Sequence, residues 1–373
     1  MGISTIKRLA SLVLCVAILC LSGCAVSANT RKVRATVVDI EKYGHVVLDV
    51  TASDLSDAGY TLGDLVHVRI GAYEADMPFF DGYYSNPGTL ILRGIAPDAP
   101  VAICINYGHF SQETGTAVGD IAEITLAEKG GMLVLQELCS LQYSNDRADY
   151  SSDAVYANFR AVTAGGIGSG KLYRSASPID NLNGRAGYAN DLIEAAKVAT
   201  VLNLADSRED IEAFFKAEDF RSEYYLRLYE AGNVIALDLG GNIFSESFAA
   251  SIAEGLTLLA QKQPPYSIHC LEGKDRAGFT VALVEALMGA DLEEITTDYM
   301  LSYYNYYGVD KELDPLRYQT ILDTNLTAML CHVAGVETSD ALVQVDWEAA
   351  ATKYLLDAGM AGTDITTLKE KLR

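Results

Sequence analysis

A strand, a tight loop and a helix follow one another between residues 264 and 289, and this segment constrains the fold more than any other. The stretch PPYSIHCLEGKDRAGFTVALVEALMG starts with the apolar run Tyr266–His269, which leads directly into Cys270. Five residues separate Cys270 from Arg276, and the apolar pattern predicts a helix over about 277–288. A strand that feeds a helix through a short loop is a unit of an α/β layer, so we predict an α/β domain around it.

The residue types in this loop favour an anion-binding site. Backbone N–H groups at a helix N-terminus point towards one place and attract negative charge. The same field favours the thiolate of Cys270, which is the nucleophilic form of cysteine. The planar guanidinium of Arg276 fits two phosphate oxygens, and Gly273 lets the backbone approach a ligand without an intervening Cβ. The predicted phosphate-binding residues are Leu271, Glu272, Gly273, Lys274, Asp275 and Arg276.

The pattern His269-Cys270-x5-Arg276 resembles the signature loop of cysteine-dependent protein tyrosine phosphatases. Its Gly-Lys-Asp-Arg ending is similar to an atypical bacterial branch that acts on phosphotyrosine and, in some members, on phosphoserine/threonine or phosphoinositides. Asn158-Phe159-Arg160 and GKLYRSA at 170–176 resemble the entry segment of the same branch. The resemblance implies a phosphatase domain over 157–373 with a central, mostly parallel sheet, a phosphocysteine intermediate and no cofactor. The competing interpretation of Cys270 is an ordinary buried thiol at a strand end.

Such a mechanism needs a general acid to protonate the leaving oxygen, and three aspartates compete for the role. Asp275 is the first choice because it lies inside the loop, at the expected rim of the pocket. Asp238 ends a predicted strand and could enter on a loop, as in conventional tyrosine phosphatases. Asp206 is third, since it precedes a predicted helix and a capping role competes with catalysis. His269 is predicted to orient the loop and to support the thiolate.

One departure from the family pattern leaves two alternatives open. Ala277 stands where the family usually has Ser or Thr, whose hydrogen bond helps the thiolate leave the phosphoenzyme. Slow breakdown would favour a weakly catalytic module that binds phosphorylated ligands at the cell surface. An inositol phosphate or phosphoinositide phosphatase is the other alternative, but it needs a more basic pocket than Lys274 and Arg276 provide. Lys274 is expected either to bind a second phosphate or to be solvated.

The first residues are typical of an export signal. Two basic residues precede the apolar run Leu9–Leu21, which is too short to span a bilayer comfortably. The run ends in Leu-Ser-Gly-Cys, which resembles a bacterial lipobox, so residues 1–23 are predicted to be removed and Cys24 to carry the lipid. We therefore expect a protein anchored to the outer face of the bacterial cytoplasmic membrane. Cleavage after Ala28 would instead give a secreted protein.

Charge and cysteine spacing restrict the partners. The formal net charge of -22 argues against nucleic acid and against adhesion to anionic lipid, so the lipid anchor is the expected membrane contact. A phosphorylated protein or small phosphoester is the expected substrate. The chain has neither a CxxC pair nor a Cys/His cluster at zinc spacing, so neither a metal nor a cofactor is predicted.

The length of 373 residues predicts two or three domains, and residues 30–143 differ from the rest of the chain. Short apolar or alternating runs separated by turn signals predict an all-β barrel or sandwich. The predicted strands are Val33–Ile40, His45–Val50, Leu65–Ile70, Thr89–Ile95, Val101–Asn106, Ile121–Leu126 and Met132–Leu135. DIEKYGHVVLDV and GDLVHVRI resemble the C-terminal β-barrel of the S-adenosylmethionine hydrolase/halogenase family, and no activity is inferred from that likeness. The polar stretch 144–156 is predicted to be a linker.

Overall fold

The computed structural model describes residues 30–83 and 88–373. The predicted signal peptide and Cys24 lie outside the described residues. Within the described residues, no helix is long and apolar enough to cross a membrane. The described chain divides into two compact units, of which the first covers 30–83 and 88–136 and the second covers 137–373.

The first unit is a closed β-barrel with strand order β1-β2-β6-β5-β4-β3-β7. Alternating side chains such as Val66, Val68 and Ile70 face inward and form its core, as the alternating pattern predicts. The strands are β1 Val33–Ile40, β2 Val46–Thr51, β3 Leu65–Ile70, β4 Tyr73–Phe80, β5 Leu90–Arg93, β6 Pro100–Ile105 and β7 Ile121–Glu128. Helices lie at Ala52–Asp57 and Phe110–Thr114. The all-β prediction for this part of the chain is confirmed in its broad form.

Two elements of this unit differ from the sequence prediction. Strand β4 was missed because Pro78 and acidic residues interrupt its apolar pattern, although the strand pairs with β3 along its length. The run Met132–Leu135 was predicted as a strand, but Leu133–Cys139 is a helix. A short apolar run fits either conformation, and only its packing decides between them.

The second unit contains a sheet of order β11-β10-β12-β9-β8 with helices around it. Strands β9 to β12 run parallel, and only the edge pair β8 and β9 is antiparallel within this sheet. The strands are β8 Arg160–Val162, β9 Leu172–Ser175, β10 Thr200–Asn203, β11 Val234–Ala236 and β12 Tyr266–His269. The register aligns Asn203, His269 and Ser175 across three neighbouring strands. The carboxyl ends of these strands therefore meet at one edge of the sheet, where α/β folds place their ligands.

Helices form most of the remainder of this unit. They span Asp153–Tyr156, Ala186–Ala195, Arg208–Phe214, Glu223–Glu230, Glu246–Gln261, Asp275–Leu287, Leu292–Tyr307, Pro315–Ile321, Thr327–Ala334, Trp347–Asp357 and Gly362–Leu372. A π-helical turn, Leu322–Leu326, joins two of them, and 3-10 turns lie at Arg147–Asp149 and Ser339–Gln344. The helix Asp275–Leu287 is buried along its whole length beyond its first turn, which explains why its sequence is apolar on all sides.

The boundary between the units differs from the predicted one. The division falls between Gln136 and Glu137, so the predicted linker 144–156 lies inside the second unit. Arg185 holds this segment in place, because its guanidinium donates to Asn145 Oδ1 at 2.7 Å and to the Ser144 carbonyl at 2.9 Å. The same guanidinium packs over the rings of Tyr143, Tyr150 and Tyr156. A polar sequence without apolar periodicity gave no sign of this packing.

Candidate active site

The predicted strand, loop and helix are present, with Cys270 directly after β12 and the helix Asp275–Leu287 after the loop. Cys270 is almost completely buried at the sheet edge. The amide of Leu204 donates to the His269 carbonyl, and the amide of Ser177 donates to the Leu271 carbonyl at 2.9 Å. The segments that follow β10 and β9 therefore bind the start of the loop from its two sides.

Gly273 lies where the loop backbone packs against the end of β9. Its φ is +68°, and a Cβ at this position would lie 2.1 Å from the Ser175 carbonyl oxygen. The expected approach of a ligand to this glycine stays a prediction. The loop backbone is pressed against the end of β9, and only glycine permits both this approach and the positive φ.

Side chains behind the loop bind its carbonyl oxygens. Arg174 Nη2 donates to the carbonyls of Gly273 and Lys274 at 2.7 and 3.3 Å. Asn158 Nδ2 donates to the Glu272 carbonyl at 3.2 Å, and the Tyr306 hydroxyl donates to the same oxygen at 2.6 Å. The carbonyl and the N–H of one peptide unit point in opposite directions. The amides of residues 273 to 275 are therefore directed away from these side chains, towards the opposite side of the loop.

A buried ion cluster positions Arg174. Asp298 pairs with the guanidinium groups of Arg174 and Arg160, and Arg160 Nε lies 2.7 Å from Asp298 Oδ1. Burial would raise the pKa of Asp298, but the two guanidinium groups outweigh it and lower that pKa to about 2. Ser302 accepts from Arg160 and from Asn158, both at 3.1 Å. The carboxylate is thus charged at neutral pH and holds both arginines behind the loop.

Sequence reasoning assigned no role to these supporting residues. Asn158, Arg160 and Arg174 belong to the two quoted segments NFR and GKLYRSA, so the signal was in the sequence. Their partners Asp298 and Ser302 lie more than a hundred positions further along the chain. A local pattern cannot show such a pairing.

Arg276 lies in the first turn of the helix, as predicted, and its Nη1 donates to the Leu239 carbonyl at 2.7 Å. This bond ties the arginine to the segment that follows β11. Asp238 immediately precedes Leu239 and has a φ of +50°, which is uncommon for a residue other than glycine. The amides on both sides of it still pair with β10, from Leu237 to Asn203 and from Leu239 to Leu204. Asp238 is exposed beside this paired segment.

The other two candidate acids differ in environment. Asp275 is the first helical residue, and its side chain is 60 % exposed. The surrounding protein removes part of the hydration of this carboxylate, which raises its pKa. The positive charge of Lys274 acts in the opposite direction but is the smaller effect. Asp206 is buried and accepts from Asn203 Nδ2 at 2.9 Å; desolvation raises its pKa as well. The N-cap of the next helix is Ser207, so the capping interpretation of Asp206 was wrong.

His269 and Ala277 complete the predicted set. Burial lowers the pKa of His269 to about 3, so its ring is neutral, and Nδ1 lies 3.3 Å from the Cys270 carbonyl oxygen that it can bind as a donor. Ala277 is fully buried. Thr280, one turn further on, donates its hydroxyl to the Arg276 carbonyl at 2.9 Å and is therefore engaged in its own helix.

Glu272 and Lys274 are bound to each other. Lys274 Nζ lies 3.0 Å from Glu272 Oε2, and it donates to the Tyr307 hydroxyl at 2.9 Å. The Tyr143 hydroxyl donates to Glu272 Oε1 at 2.6 Å. Neither expectation for Lys274, a free second-phosphate ligand or a solvated side chain, describes this arrangement. Among the described residues, no group of three or more His, Cys, Asp or Glu side chains is arranged to hold a metal ion.

Among the comparisons with known proteins, the match to a family model agrees best with the geometry of this loop. Residues 156–373 match the family model described as the tyrosine phosphatase family. The triple specificity protein phosphatase PtpB of Mycobacterium tuberculosis (strain ATCC 25618 / H37Rv) is 30% identical over 127 residues, and the match covers 31% of this chain and 45% of that protein. The chain thus spans less than half the length of this curated relative.

Two solved structures give weaker similarity. An uncharacterized conserved protein from Thermotoga maritima is 25% identical with a TM-score of 0.23, and the match covers 25% of this chain and 35% of that one. The core catalytic domain of the PP-IP phosphatase SIW14 from S. cerevisiae, in complex with citrate, is 20% identical with a TM-score of 0.28. That match covers 44% of this chain and 91% of that one. At TM-scores of this size, neither structure bears on the fold.

Proposed function

This chain belongs to the tyrosine phosphatase family, and from that premise we propose that it hydrolyses phosphate monoesters through a phosphocysteine on Cys270. The supporting observation is the loop itself. Arg174, Asn158 and Tyr306 bind the carbonyls of the loop, which directs the amides of residues 273–275 to its opposite side, where we propose that the phosphoryl group binds. This arrangement stabilises the charge that a phosphoryl group carries during transfer.

In the first step, the Cys270 thiolate attacks phosphorus opposite the leaving oxygen. The sulfur–phosphorus bond forms while the bond from phosphorus to the leaving oxygen breaks. Arg276 and the amides of residues 273–275 bind the three equatorial oxygens, and the general acid donates a proton to the leaving oxygen. The products of this step are the free alcohol or phenol and the phosphocysteine.

In the second step, water attacks the phosphocysteine. The deprotonated acid accepts a proton from that water, a new phosphorus–oxygen bond forms, and the sulfur leaves as a thiolate. Inorganic phosphate is released and the enzyme returns to its starting state. Buried Ala277 and the engaged Thr280 hydroxyl give this leaving thiolate no hydroxyl donor from the helix, so the second step is expected to be slow.

We assign the general acid role to Asp275 and keep Asp238 as the competitor. Asp275 is the first residue of the helix at the phosphate-binding loop, and its carboxyl group is open to solvent, so it can exchange protons with water between the two steps. Asp238 is held next to the Arg276 anchor in an unusual backbone conformation, which is often a property of functional residues. The two are distinguished by the pH dependence of the Asp275→Asn and Asp238→Asn variants.

Phosphotyrosine is the proposed substrate group. The family match favours it, and because the Mycobacterium tuberculosis relative is a triple specificity protein phosphatase, we propose phosphoserine and phosphothreonine as further substrate groups. The dense tyrosines of the helix Leu292–Tyr307 do not form an open stacking wall for such a substrate. Tyr299, Tyr303 and Tyr306 are buried in the domain.

The test is hydrolysis of p-nitrophenyl phosphate and of a phosphotyrosine peptide by the full chain. Cys270→Ser is expected to abolish turnover, and chelators are expected to have no effect. Cys331→Ser is the matched control, because it makes the same replacement at a half-buried thiol outside the loop. Unchanged turnover in Cys270→Ser would reject the proposal.

A second candidate function follows from Ala277. If phosphocysteine breakdown is very slow, the domain acts mainly as a binding module for phosphorylated ligands. Rapid mixing then gives a burst of one alcohol or phenol per protein and almost no further turnover. Steady turnover without a burst would exclude this candidate.

We further propose that the protein is exported and that Cys24 carries a lipid anchor. The proposal rests on the apolar segment that ends in Leu-Ser-Gly-Cys. Mass spectrometry of the mature N-terminus is the test. A diacylglyceryl-modified Cys24 supports the anchor, whereas an unmodified Asn29 start overturns it.

A further inference from the structure

The pairing of Glu272 with Lys274 places a negative charge inside the phosphate-binding loop. Both side chains are mostly buried, with 22 % and 13 % of their surfaces exposed. Burial alone would raise the pKa of Glu272, but Lys274 and the Tyr143 hydroxyl outweigh it and lower that pKa. The loop therefore contains a charged carboxylate two residues after the nucleophile Cys270.

The surroundings of the Lys274 ammonium are already occupied. Nζ contacts Glu272 Oε2 at 3.0 Å, the Tyr307 hydroxyl at 2.9 Å and Asp275 Oδ2 at 3.9 Å. It also lies over the rings of Tyr303 and Tyr307, at 5.5 and 5.1 Å from their centroids. An ammonium group has three protons to donate, and Glu272 and Tyr307 accept two of them. The carboxylate of Glu272 also offsets the positive charge that Lys274 would present to a second phosphate.

We propose that Glu272 determines specificity by holding Lys274 and by repelling a second phosphate group on the substrate. This inference rests on the proposed phosphatase function and narrows its substrate class. The loop accepts esters with a single phosphate, such as phosphotyrosine, and rejects those with a second phosphate next to the first, such as vicinal inositol bisphosphates. A buried carboxylate placed against such a group is a repulsive element of the kind that specific sites use.

The supporting hydroxyl of Tyr143 strengthens this arrangement. It donates to the Glu272 oxygen that does not face Lys274, at 2.6 Å, so both carboxylate oxygens have a partner. Tyr143 itself packs against Tyr306 and Tyr307. The carboxylate is thus held in one orientation and cannot turn aside to relieve repulsion with a bound substrate.

The test compares a myo-inositol monophosphate with a vicinal myo-inositol bisphosphate, measured as the ratio of their kcat/KM values for phosphate release. Glu272→Gln keeps the size of the side chain and an oxygen for Tyr143 but removes the charge. It is expected to raise the bisphosphate-to-monophosphate ratio about tenfold, as Lys274 becomes free and the repulsion disappears. Glu293→Gln is the matched control, because it removes one exposed charge outside the loop and should leave the ratio unchanged.

Two further measurements keep the test independent of one variant. Adding Lys274→Met to Glu272→Gln should remove the part of the gain that comes from the freed ammonium. In the wild-type protein, raising the salt concentration should raise the ratio, because screening weakens repulsion. An unchanged or lower ratio in Glu272→Gln, or a ratio that falls with salt in the wild type, overturns the inference. If the wild type hydrolyses neither these substrates nor p-nitrophenyl phosphate, the proposed function itself fails.

Discussion

Replacing Arg174 by lysine separates two tasks of one buried side chain. Arg174 forms an ion pair with Asp298, and it also donates to the carbonyls of Gly273 and Lys274. A lysine keeps the positive charge beside Asp298, but it lacks the planar fork that reaches the two carbonyls. The variant therefore keeps the ion pair but loses hydrogen bonding to the loop carbonyls.

The magnitude follows from the bonds that are lost. A hydrogen bond from a charged donor is typically worth about 1.5–3 kcal/mol, and the lysine is expected to keep at most one of the two bonds to the loop. A loss of about 2 kcal/mol in the positioning of the amides corresponds to a fall of about 30-fold in kcat/KM. The free energy of unfolding should fall by about 2 kcal/mol as well, because the same bond is lost from the folded state. Arg174→Met, by contrast, breaks the buried pair with Asp298 and should cost about 3–5 kcal/mol of stability.

The assay measures kcat/KM for p-nitrophenyl phosphate together with urea unfolding of the wild type and both variants. We expect a large activity loss for Arg174→Lys, with a smaller destabilisation than that of Arg174→Met. Full activity in Arg174→Lys would refute the idea that bonds to the loop carbonyls position the amides. Equal destabilisation by both variants would refute the separation of the two tasks.

Three further predictions concern other parts of the same loop and its support. Gly273→Ala should reduce kcat/KM at least tenfold and destabilise the fold by about 1–3 kcal/mol, because its Cβ would meet the Ser175 carbonyl. The control is Gly335→Ala, where φ is +66° and the Cβ would enter open space. It should lower the free energy of unfolding by only about 1 kcal/mol and leave kcat/KM unchanged. Asp298→Asn should remove about 3 kcal/mol of stability at neutral pH, because it leaves two buried guanidinium groups without their carboxylate. Since the pKa of Asp298 is lowered from 3.8 to about 2 by folding, this contribution is complete above pH 4 and disappears as the pH falls towards 2, so the urea midpoints of variant and wild type should converge there. Asp275→Asn should lower kcat and abolish the fall in kcat at high pH, because the wild-type acid must be protonated to donate. If kcat of the variant still falls at high pH, the general acid is another group.

The strand, loop and helix could be predicted from the sequence because all their parts are local. Strand β12, Cys270 and the helix that contains Arg276 lie within one short segment, and each follows from residue type and order. The barrel strands were predictable for the same reason, since alternation along a strand is a local signal. Strand β4 was missed because Pro78 breaks that signal without breaking the strand.

The support of the loop could not be predicted, because it depends on contacts between distant segments. Asp298 shows no local sign that it pairs with Arg160 and Arg174. Lys274 pairs with Glu272, which Tyr143 orients. The predicted boundary placed Tyr143 outside the phosphatase domain. Asp206 is a different case, because Ser207 and Asp210 form a readable capping box that should have excluded Asp206 as the cap.

The most direct measurement identifies the atom that takes up the phosphoryl group. The wild-type protein is mixed with a phosphotyrosine peptide, denatured within milliseconds and mapped by peptide mass spectrometry. The account predicts a phosphate on the peptide that contains Cys270, and none when Cys270 is serine. A phosphate on any other side chain, or turnover that survives the loss of the Cys270 thiol, would contradict it.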